Sequence, residues 1–148
     1  MKQTDNYGGL ILRITLGGIL FPHGAQKVFG WFGGPGFTKE MDHLTHSAGL
    51  PAFIAILVIL IEFLGALLLL CGWYTRLTAA IVAILFIGII VKVHAGMGFF
   101  MNWFGSLPAG VEGFEYHLLV IGICAALMAT GSGKYALDKC YASLNTDR

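Results

Sequence analysis

The sequence predicts an all-α integral membrane protein: a four-helix bundle with a short amphipathic segment and capping loops on its outer side. Three observations lead there. Of the 148 residues, 57% are hydrophobic and only 11% are charged, far from the balance of a soluble globular domain. The apolar residues gather in four runs, each able to reach roughly 20 residues and so to cross about 30 Å of hydrocarbon as a helix. Trp31, Trp73 and Trp103 all fall at the boundaries of those runs, where aromatic belts form.

The first span is expected over residues 7–28, the second over 51–72, the third over 77–93 and the fourth over 114–130, starting near Gly113. Residues 131–148 follow as a short tail, and the whole chain, 1–148, reads as one four-span domain. The first run does not read as a cleavable signal peptide. It lacks a charged leader and a small-x-small cleavage site, and it contains Arg13. Helices are the expected form because lipid offers the backbone no hydrogen-bond partner. Short connections make them antiparallel neighbours. Ala79 with Ala83, and Gly122 with Ala126, are small residues one turn apart, read as places where helices approach closely.

Lys and Arg set the expected orientation. Lys2, Arg76, Lys134, Lys139 and Arg148 share one side; Lys27, Lys39 and Lys92 share the other. Five against three places both termini in the cytoplasm of a bacterial-type inner (plasma) membrane. The net charge is +1, with no basic tract and no phosphate-cradling glycine loop, so nucleic acid is not an expected partner. The expected partners are the lipid bilayer and either an electron-supplying protein or further copies of the chain. Cys71, Cys124 and Cys140 contain no Cys-x-x-Cys pair, which argues against a thiol relay within this chain.

The polar residues inside apolar runs are the functional candidates. Glu62 lies about eleven residues from each end of the second span, where a bare charge costs at least about 2.5 kcal/mol. Arg13, about six residues into the first span, is the expected partner. The pair either locks two helices together or handles protons and orients a ligand. On a helical wheel Arg13, His23 and Lys27 share an arc of roughly 80°, with Gly17 and Gly24 beside them. That arc should look into the bundle. Pro22 removes one helix hydrogen bond at Gly18 and would open space there. His94 ends the third span on the same side, and Glu115 and His117 begin the fourth. Between them the glycine and aromatic loop 96–104 is expected to fold over the bundle mouth. Residues 33–47 are expected to cap the same end, the later ones as the amphipathic segment. The result is an outer-half pocket.

Three uses of that pocket compete. A metal or haem site would draw on His23 and His94, with Glu115 or His117. Yet no span carries His-x-x-x-His, and His43 and His46 lie in a polar loop, so no metal is assigned and haem fits less well. A quinone suits aromatic walls with a His or Lys donor, and His23 and Glu62 could pass its protons. The polar face could also bind a partner helix or a lipid headgroup without chemistry.

The run RITLGGILFPHGAQKVFG from Arg13 resembles the first helix of the DoxX family. FGGPG from Phe32, EFLGA from Glu62, KVHAGMGFF from Lys92 and Glu115-Tyr116 resemble its later motifs, over nearly the whole chain. The resemblance implies a small four-helix inner-membrane protein, of a kind that often carries an oxidoreductase label linked to quinones. The shared positions are Arg13, His23, Gly24, Lys27, Glu62, His94 and Glu115. Taken together, the expected function is the membrane component of a quinone-linked redox system. Glu62 and His23 would be catalytic; Arg13, His23, Lys27, Glu62, His94 and Glu115 would bind the ligand. The alternative is a non-catalytic scaffold for a partner complex. Whether the chain is itself an enzyme stays open. No flavin or nicotinamide fingerprint occurs, so electrons would come from outside it.

Overall fold

A computed structural model describes residues 7–108 and 111–138. Among them every regular element is helical and none is a strand. The elements are α1 (Tyr7–Phe29), α2 (Gly36–Asp42), α3 (Ala52–Cys71), α4 (Thr75–Ile89) and α5 (Glu115–Thr130). A tight turn, Trp31–Gly33, leads from α1 to α2; wider helical turns, His43–Ser47 and Ile90–His94, extend α2 and α4. The amphipathic segment expected after residue 33 is therefore α2 and its extension. Lys2, Lys139, Cys140 and Arg148 lie outside the described residues.

The four long helices close a ring: α1 packs on α3, α3 on α4, α4 on α5, and α5 on α1. Leu16, Leu20, Leu69, Val82, Phe86 and Leu127 fill its centre. The outside is apolar as well, with Ile11, Leu57, Ile84 and Leu119 all exposed. A helix that is hydrophobic all round belongs either in a large core or in lipid. Two helical runs, Ala52–Cys71 and Thr75–His94, are long and apolar enough to cross a membrane. Helix α5 is apolar but has 16 residues, and α1 carries Arg13 and Lys27 along its length.

Local sequence explains the ends. Pro51, in extended conformation, starts α3, and Gly72 stops it in the left-handed region at φ 67°. Trp73 N–H then donates to Leu68 O at 2.9 Å, which satisfies one of the carbonyls a helix end leaves over. Asp138 caps the next helix: its carboxylate accepts from Tyr74 N–H at 2.7 Å and Thr75 N–H at 3.1 Å. The segment after α5 is thus built into that end of the ring.

Of the small-residue pairs, Ala79 and Ala83 are buried at a helix contact. Gly122 is exposed and nothing lies near it; Cys124, Val120 and Leu127 form the inner face of α5 instead. At Gly24 α1 approaches α3 closely. A Cβ there would sit 2.5 Å from Phe63 Cα, so α1 rests directly on the backbone of α3.

Candidate functional site

Glu62 is 4% exposed at the middle of α3. A lone carboxylate so placed would be strongly unfavourable. Its partner is Lys27, whose Nζ donates to Glu62 Oε1 at 2.6 Å. The contact at Gly24 explains the pairing. With Gly24 seated on Phe63, the next turn of α1 brings Lys27 beside Glu62. Lys27 Nζ also lies 3.6 Å from Glu40 Oε1, and Glu40, on α2, is itself buried. One ammonium thus serves two carboxylates.

Arg13 does not pair with Glu62, contrary to the sequence-based expectation. It lies eleven residues from Gly24 along α1, roughly 16 Å at helical rise. That places it at the far end of α3. There Nε donates to Ser132 O, Nη1 to Leu69 O and Leu70 O, and Nη2 to Lys134 O and Tyr135 O. A guanidinium has five N–H donors, and here each has a backbone carbonyl. The charge is met by peptide dipoles, which close the end of α3 and hold the segment after α5. Depth read from helical rise put Arg13 about 9 Å and Glu62 about 13 Å in from the same side, within reach of an arginine side chain, because it assumed that both helices start at the same height. In the structure α1 reaches past the end of α3.

The other candidates separate as well. His23 is exposed on α1, at the edge of the polar arc rather than on its inner side. Glu115 accepts from Met101 N–H at 3.2 Å and Trp103 Nε1–H at 3.1 Å, and so ties the 95–114 loop to the start of α5. That loop doubles back on itself through Phe114 N–H to Gly98 O and Glu115 N–H to Phe99 O. Its aromatics Phe100, Trp103 and Phe104 are exposed.

His94 ends the extension of α4. Its Nδ1 lies 2.6 Å from Glu112 O. A carbonyl only accepts, so Nδ1 carries the proton, and in the neutral ring Nε2 keeps a free lone pair. The His117 ring packs against it at 4.4 Å between centroids. His117 is buried, and its Nδ1 has no hydrogen-bond partner among the described residues.

Lys27 and His94 both line a cleft of about 640 Å³ between α3 and α4, within the usual size of ligand sites. Glu40, His43 and Lys92 line it too; Ile54, Leu57, Ile61, Ile81, Ile84 and Ile89 supply apolar walls. Arg13, His23 and Glu115 do not line it, and Glu62 touches it through Lys27. Glu40 and His43 were not among the sequence candidates. The signal for Glu40 was available: an acid in the segment expected to cap the end where Lys27 emerges.

A family model described as DoxX matches residues 8–95 of the chain. The chain is similar to a Bacillus subtilis (strain 168) protein named "Putative oxidoreductase CatD", with 34% identity over 138 residues, 93% of this chain and 90% of that one. It is also similar to "Inner membrane protein YqjF" of Escherichia coli (strain K12), with 30% identity over 139 residues, 94% of this chain and 95% of that one. No solved structure matches.

Proposed function

The chain belongs to the DoxX family, and from that premise we propose that it is a four-span inner-membrane protein that binds a quinone in the α3–α4 cleft. It would serve as the membrane component of a redox system, with both termini in the cytoplasm and electrons supplied by a partner protein. The names of the two relatives, one an oxidoreductase and one an inner membrane protein, support the two halves of this reading. So do the apolar outer faces of the four long helices.

The observation that carries it is a largely aliphatic cleft whose lining includes a histidine and a paired ammonium. Such a site suits a flat, neutral, weakly polar ring. A bound quinone would supply the redox chemistry. Lys27, held by Glu62 and Glu40, offers hydrogens to a ring carbonyl. As the partner's electrons reduce the ring, its oxygens take up protons; His94 Nε2, with Nδ1–H held by Glu112 O, would take a proton from solution, pass it to a ring oxygen and then accept a hydrogen bond from the hydroxyl formed, which is the ordinary contribution of a positioned acid–base group.

Titration of a short-chain quinone into the detergent-solubilised protein tests the reading. Saturable binding is expected, and for the corresponding quinol, whose hydroxyl can donate to His94 Nε2, His94→Ala weakens it by about 5- to 150-fold, the equivalent of one hydrogen bond lost in a dry site. No saturable binding at any soluble concentration would overturn it and leave the non-catalytic scaffold.

A further inference from the structure

Helix α2 and its extension are held to the bundle differently from the four long helices. Each long helix buries apolar side chains, Leu20 on α1, Ile59 on α3, Val82 on α4 and Leu127 on α5 among them. Between Gly30 and Leu50, all of which are described, the one buried residue is Glu40. Leu44 and Ala48 are half-buried where they line the cleft. An element with so little buried apolar surface opens more readily than the core around it. What it does bury is a carboxylate, and that carboxylate lies 3.6 Å from Lys27 Nζ. The attachment of α2 therefore depends on an ion pair more than on burial.

The segment is bounded by a fixed point and two pivots. Gly34 rests on α1, where a Cβ would lie 2.5 Å from Gln26 Cβ and 2.6 Å from Gln26 Cα. Two residues on, Gly36 begins α2 in the left-handed region at φ 73°. At the other end Gly49 has φ 64° and nothing within 4 Å of a Cβ, just before Pro51 starts α3. Hinges are a few such loop or element-end positions that absorb dihedral change, and glycine does so without a steric cost. The charges permit release as well. If Glu40 leaves, Lys27 keeps its shorter contact with Glu62 at 2.6 Å, and Glu40 passes to water. No unpaired charge is left inside the bundle, which is the costly outcome when a buried pair is broken.

We infer that α2 and its extension form a hinged flap on the cleft, latched by Glu40 to Lys27. Glu40, His43, Leu44 and Ala48 line the cleft, so movement of the flap removes lining that α3 and α4 do not supply. Closed, the flap completes the site and holds Lys27 between two carboxylates. Open, it lets the ligand in or out. Glu40 is a positioning residue that acts through Lys27. That the cleft holds a ligand rests on the quinone reading above; that the flap opens does not.

Hydrogen exchange of the full chain in nanodiscs, wild type beside Glu40→Gln, tests the latch without a ligand. A helix as short as α2 is marginal in water once detached, so opening exposes its amides to exchange. Exchange over residues 40–47 should rise together, by at least about fivefold, when the carboxylate loses its charge. The amides of Gly113, Phe114 and Glu115, which close the 95–114 loop, should exchange as in wild type. Unchanged exchange over 40–47, or an equal rise at 113–115, would overturn the latch. Stopped-flow mixing with a short-chain quinone then tests the gate, and association should quicken in Glu40→Gln along with exchange. Association at the wild-type rate with faster dissociation alone would mean that Glu40 supports the bound ligand and not the entrance, and would overturn the gate. Failure of wild type to bind the quinone would overturn the quinone reading and the gate with it, while the exchange result still decides whether the flap exists.

Discussion

Lys27 Nζ lies 2.6 Å from Glu62 Oε1 and 3.6 Å from Glu40 Oε1, so a single cation compensates two buried carboxylates. The arrangement is asymmetric. Glu62→Gln leaves Lys27 with Glu40. Lys27→Met leaves two carboxylates with no counter-charge, at a cost of about 3–5 kcal/mol. Lys27→Met is therefore expected to destabilise the detergent-solubilised protein clearly more than Glu62→Gln, and the Lys27→Met/Glu62→Gln double variant to recover part of the loss. Thermal unfolding of the three variants measures this. Equal losses, or a double variant equal to the sum of the singles, would show that the three groups do not act as a unit.

A different role is expected at Arg13, whose five donors all go to backbone carbonyls. Lysine keeps the charge but offers three donors from one nitrogen, too few to reach both the end of α3 and the segment after α5. Arg13→Lys should cost about 2–5 kcal/mol as at least two carbonyls lose their partner. It should also raise hydrogen exchange at Gly72 and Trp73, whose amides close the end of α3. Pairing with Glu62 would instead predict near-normal behaviour for the lysine variant. Unchanged exchange in Arg13→Lys therefore argues against the clamp.

The helical architecture was legible because it follows from hydrophobic runs and their punctuation by Pro51, Gly72 and the tryptophans. The pairing of charges was not legible, because it depends on the axial register between α1 and α3. That register is set by Gly24 against Phe63, a contact between residues far apart in sequence. Counting residues from each span's end located Arg13 and Glu62 within their own helices but not relative to each other. Helical angle likewise placed His23 within 80° of Arg13, yet the boundary between inside and outside falls within that arc. Lys27 and His94 were found because both are cations or rings at span ends. Glu40 was missed because seven residues of α2 give too little periodicity to show which side chain turns inward.

The Gly24 contact can be tested directly. A Cβ at Gly24 falls 2.5 Å from Phe63 Cα and 2.7 Å from Phe63 N, and backbone cannot step aside as a side chain would. Gly24→Ala should cost about 1–3 kcal/mol by overpacking. Gly18→Ala is the control, since a Cβ there meets nothing within 4 Å and alanine favours the helix by about 1 kcal/mol. Thermal melts of the two variants should shift in opposite directions. A neutral Gly24→Ala would mean that the helices are not held this close.

The proposed orientation rests on basic residues, of which Lys2, Lys139 and Arg148 lie outside the described residues. It predicts that a membrane-impermeant thiol reagent applied from outside reaches a cysteine at Ser106, in the loop before α5, and misses one at Ser143. Both probes belong in a background without native cysteines. The opposite labelling pattern would reverse every side assigned to the loops.

Two histidines were candidates for handling protons, and the structure separates them. His94 lines the cleft, with Nδ1–H donating to Glu112 O at 2.6 Å; His23 is exposed elsewhere on α1. Removing the His94 ring would do two things: it would free the loop at Glu112 and delete the Nε2 acceptor. His94→Asn tells them apart, because its amide N–H₂ can still donate to Glu112 O while nothing replaces Nε2. His94→Asn is therefore expected to melt near wild type and yet bind a quinol about 5- to 150-fold more weakly. Binding of the corresponding quinone, which has no hydroxyl proton to give, should change far less. His23→Ala should have the smaller effect on both ligands. If His23→Ala weakens quinol binding more than His94→Asn does, the ligand does not sit in the α3–α4 cleft, and the site must be sought on the α1 surface instead.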